Sequence, residues 1–277
     1  MGLFNTKSNH SRFSNDAHRK TLHKNLNFVA TEQYKLLRAN LNFTIPQGEK
    51  CPVIGVTSSM RGEGKSTTSI NLAYVLAESG KKVLLMDGDL RIPSIAKKLE
   101  LNGSVGVTDY LMGKKMDMEQ FRSALAENWY ILPSGNIPPN PSELLGSSRM
   151  EKVLNDFREQ FDYIIIDLPP VNIVSDAISI SGLITGIVLV IREEYTEKKD
   201  LERCFRQLNL SNVNVLGCVM NEARSGDGSY GRYKKYRYYK YYKYYRYEYE
   251  YKTDEDGNKQ KVKTKKTKND KGKTDKK

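Results

Sequence analysis

The chain has 277 residues, 38% hydrophobic and 28% charged, with a formal net charge of +12. No apolar run approaches the roughly 18 residues of a membrane-spanning helix, and three dispersed cysteines without a CxxC pair argue for a reducing cytosol over a disulfide framework. The charge is uneven: 18 Lys+Arg against 7 Asp+Glu from Tyr230 onward leave 27 basic and 26 acidic residues in 1–229, a nearly neutral body with a basic tail.

Residues 1–27 are polar and read as a flexible segment. They hold all three histidines, His10, His18 and His23, so the body offers no imidazole for a triad or a metal site. A proton acceptor near the nucleotide is therefore expected to be a carboxylate. Thr31 to Phe43 reads as an amphipathic helix capped by Thr31, with Tyr34, Leu37 and Leu41 on one face. Glu32, Lys35 and Arg38 recur every three residues along another side, which on residues alone describes a solvated charged face.

The apolar run Val53 to Val56, the loop Ser58 to Thr67 and the helical pattern Ile70 to Leu76 give strand, glycine loop and helix, the context of a phosphate-binding loop. Gly62 and Gly64 let the backbone curl so that its N–H groups face phosphate oxygens, and a helix begins there. Ser59, Arg61, Gly62, Glu63, Gly64, Lys65, Ser66 and Thr67 form the expected ATP-binding stretch. Lys65 is expected on the β- and γ-phosphates and Ser66 on Mg2+. Ser59 stands where the usual spacing has its first glycine.

Val83 to Met86 reads as a buried strand that ends in Asp87 and Asp89, at the carboxyl edge where open α/β sheets bind ligands. Asn102 to Lys115 reads as a loop with a short helix. A strand over Trp129 to Leu132, a rigid turn at Pro138 to Pro141 and a helix over Met150 to Phe161 follow. The strand Phe161 to Asp167 ends in the carboxylate that usually serves a Mg2+ site after a phosphate loop. Gly186 to Ile191 and Asn214 to Val219 read as buried strands flanking a charged helix, Thr196 to Leu208. The fold class is α/β, a P-loop NTPase-type parallel sheet with helices on both faces, over residues 28–229.

Residues 230–277 form a tail of different composition. Twelve of the 18 tyrosines, Tyr230, Tyr233, Tyr236, Tyr238, Tyr239, Tyr241, Tyr242, Tyr244, Tyr245, Tyr247, Tyr249 and Tyr251, interleave there with Lys and Arg. Leu and Ile are missing from the tail, so it reads as disordered. Three readings compete: a solvated basic tail, a nucleic-acid-binding tail, and a cluster of phosphoacceptors. A nucleotide loop and a tyrosine cluster in one chain favour the third and make nucleic acid the weaker partner. Each phosphate adds about −1.5 to −2 charge, so about six or seven would cancel the tail's balance.

Taken together these segments resemble the bacterial tyrosine kinases, of the stand-alone cytoplasmic type of Gram-positive capsule and exopolysaccharide systems. The resemblance rests on Ser59 to Thr67, Asp87-Gly88-Asp89-Leu90-Arg91-Ile92-Pro93, Phe161 to Pro170, Leu132-Pro133-Ser134-Gly135 and Pro138 to Leu145. It implies ATP-dependent transfer to tyrosine, in trans, onto the tail. It implies Asp89 and Asp167 as metal ligands with Ser66, Asp87 as the group that receives or orients the tyrosine proton, and Lys65 on the phosphates. Asn221 faces the adenine or serves as a turn residue. Glu32, Lys35 and Arg38 resemble a ring-forming Glu-x-x-Arg-x-x-Arg motif, with Lys35 in the middle place, and imply a homo-oligomeric ring. The further implied partners are a transmembrane activator of the polysaccharide co-polymerase kind, which recruits the cytoplasmic chain to the inner face of the membrane, and a cognate tyrosine phosphatase. The alternative is a MinD/ParA-like ATPase switch with a tethering tail.

Overall fold

The computed structural model describes Leu22, residues 25–223, and the backbone of two short strands at Tyr251–Thr253 and Lys259–Lys261. Most of the expected flexible segment 1–27, and the tyrosines from Tyr230 to Tyr249, lie outside the described residues. Two units are delimited, Met1–Ala223 and Arg224–Lys277.

In the first unit a sheet is built from β1 (Val53–Ser58), β2 (Val83–Asp87), β3 (Trp129–Leu132), β4 (Tyr163–Asp167), β5 (Gly186–Arg192) and β6 (Val215–Asn221). The order is β3-β2-β4-β1-β5-β6 and every pairing is parallel. Among the described residues eight α-helices surround it: α1 (Phe28–Thr44), α2 (Lys65–Glu78), α3 (Ile95–Leu99), α4 (Val107–Leu111), α5 (Pro141–Leu145), α6 (Ser148–Arg158), α7 (Asp176–Ser179) and α8 (Lys198–Leu210).

The apolar strands have no polar face because both faces are covered. Side chains alternate across a strand, so Val83 and Leu85 join one core with Ile54, Val56, Ile165 and α2, while Leu84 and Met86 join the other with Val53, Ile164, Ile166 and α6. Parallel strands need crossovers, and right-handed crossovers running opposite ways place their helices on opposite faces. From β1 the chain winds through α2 and β2 towards β3; from β4 it winds through β5 and α8 towards β6. The loop after β1 and the end of β4 therefore meet at mid-sheet, where the winding reverses.

Several expected boundaries shift. The first helix begins at Phe28 and not at Thr31: the Asn27 side chain accepts from Ala30 N at 2.9 Å, while the Thr31 hydroxyl donates back to the Asn27 carbonyl. Leu22, inside the segment expected to be flexible, is buried in the α2-side core. The Leu-Pro-Ser-Gly stretch starts α4, since Val107 N and Thr108 N donate to the Pro133 and Ser134 carbonyls at 2.8 and 3.0 Å. In the second unit Tyr251–Thr253 pairs antiparallel with Lys259–Lys261, where the sequence reading expects no regular structure.

Phe157 on α6 is buried and packs edge-on against Tyr110 and Phe161, with ring centroids 5.2 and 6.1 Å apart. Phe157→Ala is expected to lower stability by ~3–5 kcal/mol in urea unfolding. Leu210→Ala, at a side chain 79% exposed, is expected to stay within ~0.5 kcal/mol of the parent. Equal losses for the two would contradict this account of the core.

Candidate functional site

The site grows from the loop between β1 and α2. Gly62 and Gly64 take φ values of +82° and +98°, which only glycine adopts without strain. A side chain at Gly64 would also strike the Asn221 amide nitrogen, 2.0 Å from the ideal Cβ position. Glu63 is fully buried, a costly place for a carboxylate unless it is well supplied with donors. It accepts from Ser59 N at 2.8 Å, Ser59 Oγ at 2.7 Å, Met60 N at 3.1 Å and Thr196 Oγ1 at 2.7 Å. Ser59 thus occupies the usual glycine position because its hydroxyl braces Glu63. Among the described residues, no hydrogen bond of the fold uses the N–H groups of Gly62, Glu63 and Gly64. They are donors available to an anion, together with the first turn of α2, which has no side-chain cap.

Lys65 opens α2 and reaches the ends of two strands. Its Nζ lies 2.8 Å from Asp89 Oδ2, 3.6 Å from Asp167 Oδ2 and 3.4 Å from Ser66 Oγ. Burial alone would lower the ammonium, but the charges of Asp167 and Asp89 outweigh it and hold its pKa raised. Asp167 is buried, and its carboxyl is raised by that burial against the pull of Lys65. Its Oδ1 lies 3.2 Å from the Ser69 hydroxyl, whereas its buried Oδ2 has no hydrogen-bond donor. A buried carboxyl oxygen without a hydrogen-bond donor, with Asp89 and Asp167 sharing one ammonium beside the Ser66 hydroxyl, suits a divalent cation. Among the described residues no group of three or more His, Cys, Asp or Glu could hold a metal by itself.

Asp87, the last residue of β2, is fully buried. Its Oδ2 accepts from Ser94 N and Ile95 N at 3.1 and 3.0 Å, and its Oδ1 from Asp89 N at 3.3 Å. Asp89 accepts from Ile92 N at 3.0 Å. Arg91 points away from this group: its guanidinium forks onto Asp176 at 3.0 Å and reaches Ser142 Oγ at 3.0 Å. These bonds pin the loop after β2 to α5 and α7.

The structure therefore brings together Ser59, Arg61, Gly62, Glu63, Gly64, Lys65, Ser66, Asp87, Asp89 and Asp167. Thr67 is half-buried on α2 and no bond ties it to the group. Asn221 turns its amide onto the loop, donating to the Glu63 carbonyl at 3.0 Å. Glu32 and Lys35 pair with each other at 3.0 Å, and Arg38 donates to the Val75 carbonyl at 2.6 Å, so these three are engaged within the chain. Sequence reasoning missed Ser69, Asp176 and Thr196. Ser69 was findable as the residue one helical turn after Lys65; the other two depend on strand order.

Residues 51–213 match the AAA domain family. The chain is 39% identical over 216 residues to the tyrosine-protein kinase YwqD of Bacillus subtilis, covering 78% of this chain and 89% of that protein. It is 34% identical to the tyrosine-protein kinase CpsD of Streptococcus agalactiae, over 73% of this chain and 87% of that one. Among solved structures, the chimerical protein CapA2B2 superimposes with a TM-score of 0.68 at 29% identity, covering 75% of this chain and 90% of that one.

Burial and the Asp167 charge push the Asp87 carboxyl from its ordinary 3.8 up to about 7. Between those values the folded protein holds a proton that the unfolded chain has released, so stability falls as pH rises through the window. Asp87→Asn cannot ionise and is expected to flatten that fall, read as urea midpoints at about pH 5 and about pH 7.5 without nucleotide or Mg2+. The same pH slope in parent and variant would place the titration elsewhere.

Proposed function

Since the chain belongs to the bacterial tyrosine kinases, we propose that it transfers the γ-phosphoryl group of ATP to tyrosine, with its own C-terminal cluster as acceptor. The observation that carries this reading is the loop of free N–H groups closed by Lys65 among Asp87, Asp89 and Asp167. An ATPase switch needs the same loop, but the YwqD and CpsD relatives, matched over 89% and 87% of their length, are tyrosine kinases and the tail supplies twelve tyrosines.

The loop amides and the Lys65 ammonium hold the phosphates. Phosphate oxygens compete with Asp89 for that ammonium, which leaves the Asp89 and Asp167 carboxylates and the Ser66 hydroxyl to serve a metal. Mg2+, when bound there, would neutralise charge on the phosphates and orient the γ-group. The acceptor Oη bonds to the γ-phosphorus as the bond to the β–γ bridging oxygen breaks, and the phenolic proton passes to Asp87. Asp87 suits that role because its raised pKa makes it a base near neutrality, and its Oδ1 accepts only one amide hydrogen bond, 3.3 Å long. Tyrosine's ordinary pKa of about 10 means that position contributes more than basicity.

Transfer occurs in trans. The 27 residue steps from Arg224 to Tyr251 reach at most about 90–97 Å when extended, enough for another copy's site. Self-association through α1 is supported by Val29, Leu36 and Phe43, exposed apolar residues seven apart and so on one helix face. A ring of copies, a transmembrane co-polymerase partner that recruits the chain to the membrane, a cognate phosphatase and a role in capsular or exopolysaccharide export complete the proposal. The CapA2B2 chimera is compatible with such a partner. Among the described residues no helix is long and apolar enough to cross a membrane.

Incubation with Mg·ATP, followed by intact mass and site mapping, tests the kinase reading. Several phosphates within Tyr230–Tyr251, absent in a folded Lys65→Met variant, are expected; ADP release without mass gain would favour the switch. An initial rate per molecule that stays constant on dilution would remove the trans assignment. Leu36→Glu with Phe43→Glu is expected to lower the mass measured by light scattering; an unchanged assembly would take α1 out of the interface.

A further inference from the structure

The loop's phosphate donors are backbone N–H groups, so something must decide which way each peptide unit faces. In a trans peptide the C=O and the following N–H point in opposite directions within one plane. A hydrogen bond to the carbonyl from outside the loop therefore turns the next N–H inward. Three consecutive carbonyls are held in this way. Tyr195 Oη donates to the Arg61 carbonyl at 3.1 Å, Arg192 Nη1 to the Gly62 carbonyl at 3.1 Å, and Asn221 Nδ2 to the Glu63 carbonyl at 3.0 Å. The N–H groups in those same peptide units are those of Gly62, Glu63 and Gly64, the three that no bond of the fold uses.

The outer side chains are themselves held. The Arg192 guanidinium lies over the Tyr195 ring, 4.9 Å from its centroid, and its Nη2 pairs with Glu222 at 2.6 Å. Thr196 Oγ1 accepts from Arg192 N and donates to Glu63, so the turn after β5 is tied to the loop at both levels. The glycines fit the same account: an ideal Cβ at Gly62 would lie 3.0 Å from Tyr195 Oη.

We propose that Arg192 and Tyr195 are positioning residues for the nucleotide's phosphates, acting through the Arg61 and Gly62 carbonyls to aim the Gly62 and Glu63 amides into the cradle. The proposal rests on the nucleotide reading given above. It concerns the phosphates alone, because neither side chain needs to touch the ligand.

Calorimetric titration of the full chain with Mg·ADP and with Mg·tripolyphosphate, which has no base or sugar, is the test. Tyr195→Phe is expected to weaken both ligands by the same ~3–10-fold, the effect of one lost neutral hydrogen bond, and Arg192→Gln to weaken both by more, because the guanidinium bond to the Gly62 carbonyl is charge-assisted. Arg192→Lys, which can still donate to the Gly62 carbonyl, is expected to recover part of the loss. In turnover the KM for ATP should rise with kcat retained, since the amides hold the phosphates in ground and transition states alike. Unchanged tripolyphosphate affinity in variants with parental thermal midpoints would overturn the proposal, and so would a loss confined to ADP, which would place both residues on the base or sugar. Failure of the parent chain to bind either ligand would instead overturn the nucleotide reading. Tyr195 is 51% exposed, so its truncation to Phe leaves the core intact; should it fail to fold, the Arg192→Gln and Arg192→Lys pair decides between these outcomes.

Discussion

A phosphate cradle made of backbone requires peptide N–H groups that are ordered and yet unpaired, and most of the site follows from that requirement. Unpaired amides normally recruit a partner, since backbone donors are strong and obligatory hydrogen-bonding groups. Here the recruitment is prevented from the far side of each peptide unit. Carbonyls 61 to 63 are occupied by side chains from β5, the turn after it and β6, and the loop cannot turn its donors to the outside. Glu63 adds a second restraint from within, spending its carboxylate on the amides of Ser59 and Met60. The remaining donors face the space where Lys65 emerges.

The electrostatics of that space are unfavourable to the protein alone. Asp87, Asp89 and Asp167 converge on one ammonium, two of them fully buried and both carrying raised pKa values because burial penalises their charged forms. Lys65 offsets part of this by pairing with Asp89 and standing 3.6 Å from Asp167. A polyanion and a divalent cation entering together would satisfy the amides, the lysine and the orphaned Asp167 oxygen at once. Stability given up in the free protein is thereby recovered as binding.

The sheet explains why such a group can be held still. The carboxylates sit at the ends of strands buried on both faces, and β4 lies directly between β2 and β1, so Asp167 is fixed by pairing on either side. The loops that leave these strands are cross-tied in turn: Gly88 N donates to the Asp167 carbonyl at 2.9 Å, Leu168 N to the Val56 carbonyl at 2.9 Å, and Val171 N to the Ser58 carbonyl at 2.9 Å. Arg91 anchors the outermost loop to Asp176.

Much of this was legible in the chain itself. Strand, glycine loop and helix, and apolar runs ending in Asp87 and Asp167, are local patterns; period-two and period-3.6 hydrophobicity are set by residues a few places apart. They located the sheet class, the phosphate loop and its acids, and the abrupt change of composition at the tail. The misjudged details were those in which a short side chain chooses between neighbours. Asn27 rather than Thr31 caps α1, because the cap is decided by which residue keeps an extended backbone. That Ser59 departs from the glycine spacing is plain from the chain, but the reason, a hydroxyl donated to Glu63, is not. Thr196, Arg192, Tyr195 and Asn221 lie about 130 to 160 positions from the loop they brace. Local pattern reports what a segment can become. Which distant segment meets it depends on the order in which strands pair and on the hand of their crossovers, and only the assembled sheet decides that.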